Sequence, residues 1–346
     1  IERVLFGALV VSLVATAGWS QSLTWLGGTL PVSSEAWGVS ADGSVVVGFA
    51  YNAAGQERAF RWQNGVMQDL GTLGGRDSRA YGVSADGSVV VGWALNAAGQ
   101  YRAFRWQNGV MQDLGTLGGA NSYAYGVSAD GSVVVGMAWD AAGRGRAFRW
   151  QNGVMQDLGH LGGDRSWAYG VSADGSVVVG WAYNAAGRYR AFRWQNGVMQ
   201  DLGTLGGDWS AAYGVSADGS VVVGWAYNAA GQSRAFRWQN GVMQDLGTLG
   251  SDWSEAWGVS ADGSVVVGVA PNAARQERAF RWTAAGGMED LNITYASLLT
   301  DGSVLVVARA ISPDGRYIVG LGYNAATGRD EAFLLDTGPR CASHNG

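Results

Sequence analysis

Six aspartates recur at one interval: Asp42, Asp86, Asp130, Asp174, Asp218 and Asp262 each lie 44 residues apart. A ring of carboxylates can hold cations, so this set is the first candidate for chemistry. Each one sits in Ser-Ala-Asp-Gly-Ser, where Asp bonds its own backbone and Gly takes a positive φ. The spacing lacks the clustered oxygen ligands of a calcium loop. The set therefore reads as turns, and no metal or cofactor is expected.

Arg58 and Asp69 also recur in the early units. With Asn64-Gly65 as a turn, Phe60 falls opposite Asp69 and Arg58 lies diagonally across on the same face. A partly buried ion pair repeated through the ring is expected, a feature that fixes geometry more than it stabilises. His160 replaces a Thr of the repeat and has no distinctive Ser or Cys partner, so no triad can be assembled around it. Cys341 and His344 stand in the last six residues, which removes a disulfide framework and a His/Cys metal site by count. Asn292-Ile293-Thr294 fits a glycosylation sequon, relevant only in a host that glycosylates. No enzyme is expected.

The elements that must position these residues follow from the repeat. A seventh version of the turn, "ISPDGRYIVG", places Asp314 after a step of 52, so the last unit carries an eight-residue insertion. A period of about 40–50 residues indicates a propeller or a solenoid. One unit, from Ala168, holds four β-prone runs: a around 169–172, b 176–183, c 190–195 and d 198–203. Asp-Gly separates a from b, and Asn196-Gly197 separates c from d, a two-residue hairpin signal. Helical period competes only at 295–299, inside the insertion.

In run b of the first unit, Val45, Val47, Phe49 and Tyr51 point one way, and Val46, Gly48 and Ala50 the other. Both faces are apolar, so both must be covered. Stacking the bulky side of one sheet on the small side of the next achieves this. The ends of the chain argue for closure. The seventh unit stops after run c at "EAFLLDTG", while Ser22–Leu30, "SLTWLGGTL", aligns with Val66–Gly74 at an offset of 44. The first segment should complete the last sheet, giving an all-β, closed seven-bladed propeller of four-stranded blades. An open solenoid would need polar caps instead.

The strings "AFRWQNGVMQDLGTLGG", "GVSADGSVVVG" and the ending "ARAISPDGRYIVGLGYNAATGRDEAFLLD" occur together and in order. They resemble the HAF repeat family of extracellular repeat proteins, over about residues 23–336. The resemblance implies an exported bacterial β-propeller. It supplies no catalytic residue and no ligand. Ser251, His160 and Thr283-Ala-Ala-Gly are the departures.

Bulk properties agree. The chain has 346 residues, 56 Gly, 17 Trp, 15% charged residues and a formal charge of -5. All its basic residues are Arg. Nothing favours nucleic acid as a partner. The opening "IERVLFGALVVSLVATAGWSQS" reads as a signal peptide with Ala15-Thr16-Ala17 as the cleavage box; its apolar run is short for a membrane span of about 20 residues. The expected organisation is a signal over 1–20, a propeller over 21–338 and a disordered tail over 339–346. The location is secreted, extracellular or periplasmic, without membrane insertion, and the state is a monomer.

The copies differ in a pattern. The a–b turn is identical in six units and the c–d turn in five, whereas differences gather near the b–c loop and the d–a connection. In a propeller these two loop sets share one rim. Three aligned sets vary there: Glu35, Arg79, Tyr123, Trp167, Ala211, Glu255 and Val307; Glu57, Tyr101, Gly145, Tyr189, Ser233, Glu277 and Asp330; and Ser33, Asp77, Asn121, Arg165, Trp209 and Trp253. Tyr101, Tyr123, Trp167, Tyr189, Trp209 and Trp253 are the candidate ligand-binding residues. Aromatics beside Asp, Asn and Arg suit sugar rings or protein surfaces, and rigid scaffolds carry function on such loops. Drift in tolerant loops is the competing explanation. Three functions stay open: a binding module for carbohydrate or a cell-surface partner, an assembly scaffold without a small ligand, and a propeller hydrolase or lyase.

Overall fold

The five Asn-Gly pairs close their hairpins as the dipeptide requires. Asn64, Asn108, Asn152, Asn196 and Asn240 take φ of 51–53°, and the glycines after them 78–82°, the twist that two-residue hairpins need. The computed structural model describes residues 20–27 and 32–339; the predicted signal cleavage box and nearly all of the predicted tail lie outside these. The described residues form seven antiparallel four-stranded sheets, arranged as a closed propeller. No helix among them is long and apolar enough to cross a membrane.

Blade 4 is representative, with strand a at Gly162–Val171, b at Val177–Asn184, c at Tyr189–Gln195 and d at Val198–Asp201. Strand a is longer than the sequence indicated, because it continues through two register shifts, at Gly162/Ser166 and Ala168/Gly170. Pairing in c–d matches expectation: Phe60 lies opposite Asp69 in blade 1.

Blades stack bulky side on small side. Val45, Val47 and Ala59 of blade 1 pack on Val90, Ala94, Phe104 and Trp106 of blade 2. The strand-c phenylalanines, Phe60 through Phe333, are at most 1% exposed; each such burial stabilises the fold by about 2–3 kcal/mol. Polar ties repeat at the seams. Ala59 N–H donates to Ser78 Oγ of the next blade at 2.9 Å, and Arg61 Nε donates to Gly87 O at 2.9 Å. The a–b turns join into a belt, Ala41 N–H to Ala85 O and onward to Ala261 N–H on Pro313 O, at 2.9–3.0 Å. Pro313 has no N–H, so the belt cannot continue from blade 7 to blade 1.

That last seam is closed by other means. Ser22–Trp25 pairs antiparallel with Phe333–Asp336, in register Ser22 to Asp336 and Trp25 to Phe333. Leu26, 2% exposed, donates its N–H to Ala332 O at 2.9 Å. Ala332 N–H donates to Ser34 Oγ of blade 1 at 3.0 Å, the same tie found at the five seams from blade 1 to blade 6. The insertion before blade 7 forms a short α-helix, Leu291–Thr294, and a 3-10 turn, Ala296–Leu298. The sequon Asn292 is used structurally there: its amide donates to Asp290 Oδ1 and Leu305 O, each at 2.9 Å.

The repeated aspartates are turn residues. Asp86 Oδ1 accepts from Ser84 Oγ at 2.7 Å and from Ser88 N–H at 3.0 Å. These bonds favour the carboxylate and bring Asp86 and Asp218 down to about 2. A depressed carboxyl contributes stability above its unfolded value and loses it as pH falls through the folded one. Urea midpoints should therefore hold above the ordinary value of 3.8 and decline as pH falls towards about 2. The double variant D86N/D218N should show a flatter decline; an unchanged slope would contradict this assignment.

The expected Arg–Asp ring is only partly made. Arg58–Asp69 and Arg146–Asp157 pair at 3.0 Å, and Arg102–Asp113 stretches to 3.9 Å. Arg190 Nε and Arg234 Nε are buried without an acceptor among the described residues. In blades 2 and 5 a glutamine competes: Arg102 and Arg234 donate to Gln100 and Gln232 at 3.2 and 3.1 Å.

Candidate functional site

The b–c loops and d–a connections meet on one rim. Asp77 Oδ1 accepts from Glu57 N–H of the preceding blade at 3.0 Å, and Asn121 Oδ1 accepts from Tyr101 N–H at 3.0 Å. Two of the variable sets prove to be partners across seams. Glu57 takes the Arg79 guanidinium, with Nε at 2.6 Å. The rings of Tyr101 and Tyr123 lie 5.3 Å apart. Trp167 fills the room left by Gly145, where an added Cβ would stand 3.0 Å from the indole. The sequence presents these as separate columns; matched charge, ring and size across each seam join them.

The candidate aromatics gather in two groups. Tyr101 and Tyr123 surround Trp93, at 5.0 and 6.4 Å. Trp167 stacks on Trp181 at 4.5 Å, Trp181 meets Tyr189 at 5.2 Å, and Tyr189 meets Trp209 at 4.6 Å. Trp253 takes the corresponding position in blade 6. Tyr101 is 36% exposed and the other five are half-buried. They present edges and partial faces rather than free rings. Burial pushes the Tyr123 phenol up to about 12, so it stays protonated.

His160 does the work of the threonine it replaces. Its Nδ1 accepts from Gly162 N–H at 2.9 Å, as Thr72 Oγ1 does from Gly74 N–H at 3.2 Å. That places the proton of a neutral ring on Nε2. Among the described residues, no three His, Cys, Asp or Glu side chains are grouped to hold a metal.

The strand-a bulge creates a feature that the sequence comparison overlooked. In every blade the register shift nearer the a–b turn leaves one residue out of the ladder: Trp37, Tyr81, Tyr125, Tyr169, Tyr213, Trp257 and Arg309. Bulges re-aim side chains, and here all seven line one axial cavity of about 290 Å³. Neighbours touch around the whole ring. Centroids are 5.0 Å apart for Trp37–Tyr81, 5.2 Å for Tyr81–Tyr125, 5.0 Å for Tyr125–Tyr169, 5.1 Å for Tyr169–Tyr213 and 4.2 Å for Tyr213–Trp257. Arg309 completes it, 4.3 Å from the Trp257 centroid and 4.2 Å from that of Trp37. A second cavity, about 260 Å³, runs from this ring past the Gly-Val pairs towards the uniform rim.

Electrostatics single out one sector. Arg309 Nε donates to Glu35 Oε1 at 2.8 Å across the blade 7–blade 1 seam. Glu255 is raised by burial, against the pull of Arg309. Tyr125, Tyr169 and Tyr213 are all raised by burial. Their phenols remain neutral and cannot serve as bases near neutral pH. The signal for this ring was present in the sequence as an aromatic before Gly in six strands and an Arg in the seventh.

Among solved structures, the chain is similar to TolB from Acinetobacter baumannii, at 11% identity over 88% of this chain and 63% of that one, with a TM-score of 0.48. It therefore spans less than two thirds of that protein's length. It is also similar to a putative TolB from Agrobacterium tumefaciens, at 14% identity over 89% and 99% of the two chains, with a TM-score of 0.46. At these identities neither likeness speaks to function. No protein-family model and no curated protein matches the chain, so the HAF resemblance rests on the quoted strings alone.

Proposed function

We propose that the protein is an exported, non-catalytic binding module that takes carbohydrate on its variable rim. The observation that carries this is the linked aromatic group Trp167, Trp181, Tyr189 and Trp209, held by two adjacent blades. Rings fixed by packing lose little entropy on binding, and their apolar faces suit the flat faces of sugars. Export is supported by the amino-terminal apolar run and by the HAF resemblance. The absence of enzymatic activity is supported by the neutral phenols of the ring and by the turn role of His160.

A second reading, an assembly scaffold, has its own observation. Val66, Val110, Val154, Val198 and Val242 stand 65–66% exposed at matching positions on the outer strands. A partner gripping the perimeter would cover them.

The test is titration calorimetry with cellotetraose, chitotetraose and tetragalacturonate, followed by variants. Loss of one stacking ring is worth about 1.4 kcal/mol, or tenfold in affinity. W209A and W167A should each weaken binding by about tenfold, and V154S on the outer strand of blade 3 should not. Binding insensitive to both tryptophans would overturn the rim assignment. No binding to any of the three, with V154S abolishing a protein complex instead, would favour the scaffold.

A further inference from the structure

We propose that the axial ring is a second binding site, for a small carboxylate with a flat apolar body. It is separate from the rim, so either assignment can fail alone.

Arg309 breaks the sevenfold pattern in blade 7. The other six ring members are aromatic, and beside Arg309 the Trp37 and Trp257 rings meet edge to face at 5.6 Å. The guanidinium carbon lies 4.2 and 4.3 Å from the centroids of the Trp37 and Trp257 indoles. Only Nε has an acceptor among the described residues, Glu35. The terminal nitrogens carry no bond there, are not sealed off as buried orphans, and belong to a side chain that lines both cavities. A planar cation with a free N–H edge is the geometry that binds a carboxylate in bidentate fashion.

The flanking groups reinforce the choice. Trp37 Nε1 and Trp257 Nε1 are buried with no acceptor, unlike the ring tyrosines, where Tyr213 Oη accepts from Trp225 Nε1 at 3.0 Å. A buried donor left unpaired costs about 1–3 kcal/mol. The sector of blades 6, 7 and 1 is thus rich in donors and short of acceptors. Two acids face Arg309: Glu35 is spent on Nε, and burial moves Glu255 towards its neutral form. Opposite, Tyr81, Tyr125, Tyr169 and Tyr213 form a wall of rings. A cavity of about 290 Å³ stands at the lower end of ligand pockets, about 300–1,000 Å³, and suits a molecule the size of an aromatic acid.

The test is calorimetry on the full chain near neutral pH with benzoate and indole-3-carboxylate, against benzamide and benzylamine. The carboxylates should bind at least tenfold more tightly than benzamide, and benzylamine should not bind. In R309Q the carboxylates should fall to the level of benzamide. R309K keeps the charge without the planar edge and should recover only part of the difference. W209A on the rim should leave benzoate binding unchanged. Because R309Q also breaks the seam contact with Glu35, the comparison of acid with amide in the unmodified protein decides the matter if that variant fails to fold. Equal binding of acid and amide, or no carboxylate binding up to about 10 mM, would overturn the proposal.

Discussion

A chain lacking residues 1–27 is expected to melt about 10 °C below the full protein, over a broader range. Those residues include the outer strand of blade 7. Losing it uncovers the edge of Phe333–Asp336, and an open edge strand recruits other chains. It also removes Leu26, which is 2% exposed, and Trp25 and Leu23, which pack on the blade 7 core. Full burial of one such side chain is worth about 1.5–3 kcal/mol, so the loss is about 3–5 kcal/mol against a total of about 5–15 kcal/mol. The damage falls on a seam where Pro313 already interrupts the belt of turn bonds. Calorimetry of the truncated chain checks the size of the effect. A synthetic peptide of residues 20–27 should restore most of the melting temperature. A truncated chain that melts like the full one would show that closure does not depend on this strand.

Gly180→Ala should cost about 3 kcal/mol or more, a large share of the about 5–15 kcal/mol that an ordinary chain has in total. The glycine has an ordinary φ, so the cost arises from space alone. An added Cβ would stand 1.8 Å from Trp167 O and 2.9 Å from Ala168 Cα. The close approach is made by the bulge, which presses strand a onto strand b at Ala168/Gly170. Relief would require the bulge to straighten, and that would withdraw Tyr169 from the axial ring. G187A is the control: nothing lies within 4 Å of its added Cβ, but φ is +72°, and the expected cost is about 1 kcal/mol. Urea unfolding of both variants gives the comparison. Equal midpoints would mean that the bulge is soft.

These two effects also show what the sequence could reveal. The 44-residue step, the Asn-Gly turns and the offset alignment of Ser22–Leu30 were enough to derive the blade count and the latch, because turn chemistry and a period-2 pattern are local properties. Phe60 opposite Asp69 followed from one turn. The axial ring did not follow. Tyr169 stands in a run that reads as regular strand, and a bulge that turns one residue out of the ladder has no local signature beyond the glycine after it. Comparing copies also favours positions that differ, and four of the ring members are the same Tyr. Identical residues also need not make identical bonds: Arg102 and Arg234 donate to Gln100 and Gln232 instead of closing the Arg–Asp pair.

On the proposed reading one rim varies because it binds, while the other is uniform because its turns hold the wheel together. Hydrogen–deuterium exchange with and without the best-binding of the three tetrasaccharides tests it most directly. Slowed exchange should appear at residues 164–167, 187–189 and 208–209 and be absent from the a–b turns at Asp130, Asp174 and Asp218. Protection confined to those turns, or to the outer strands at Val154 and Val198, would contradict it.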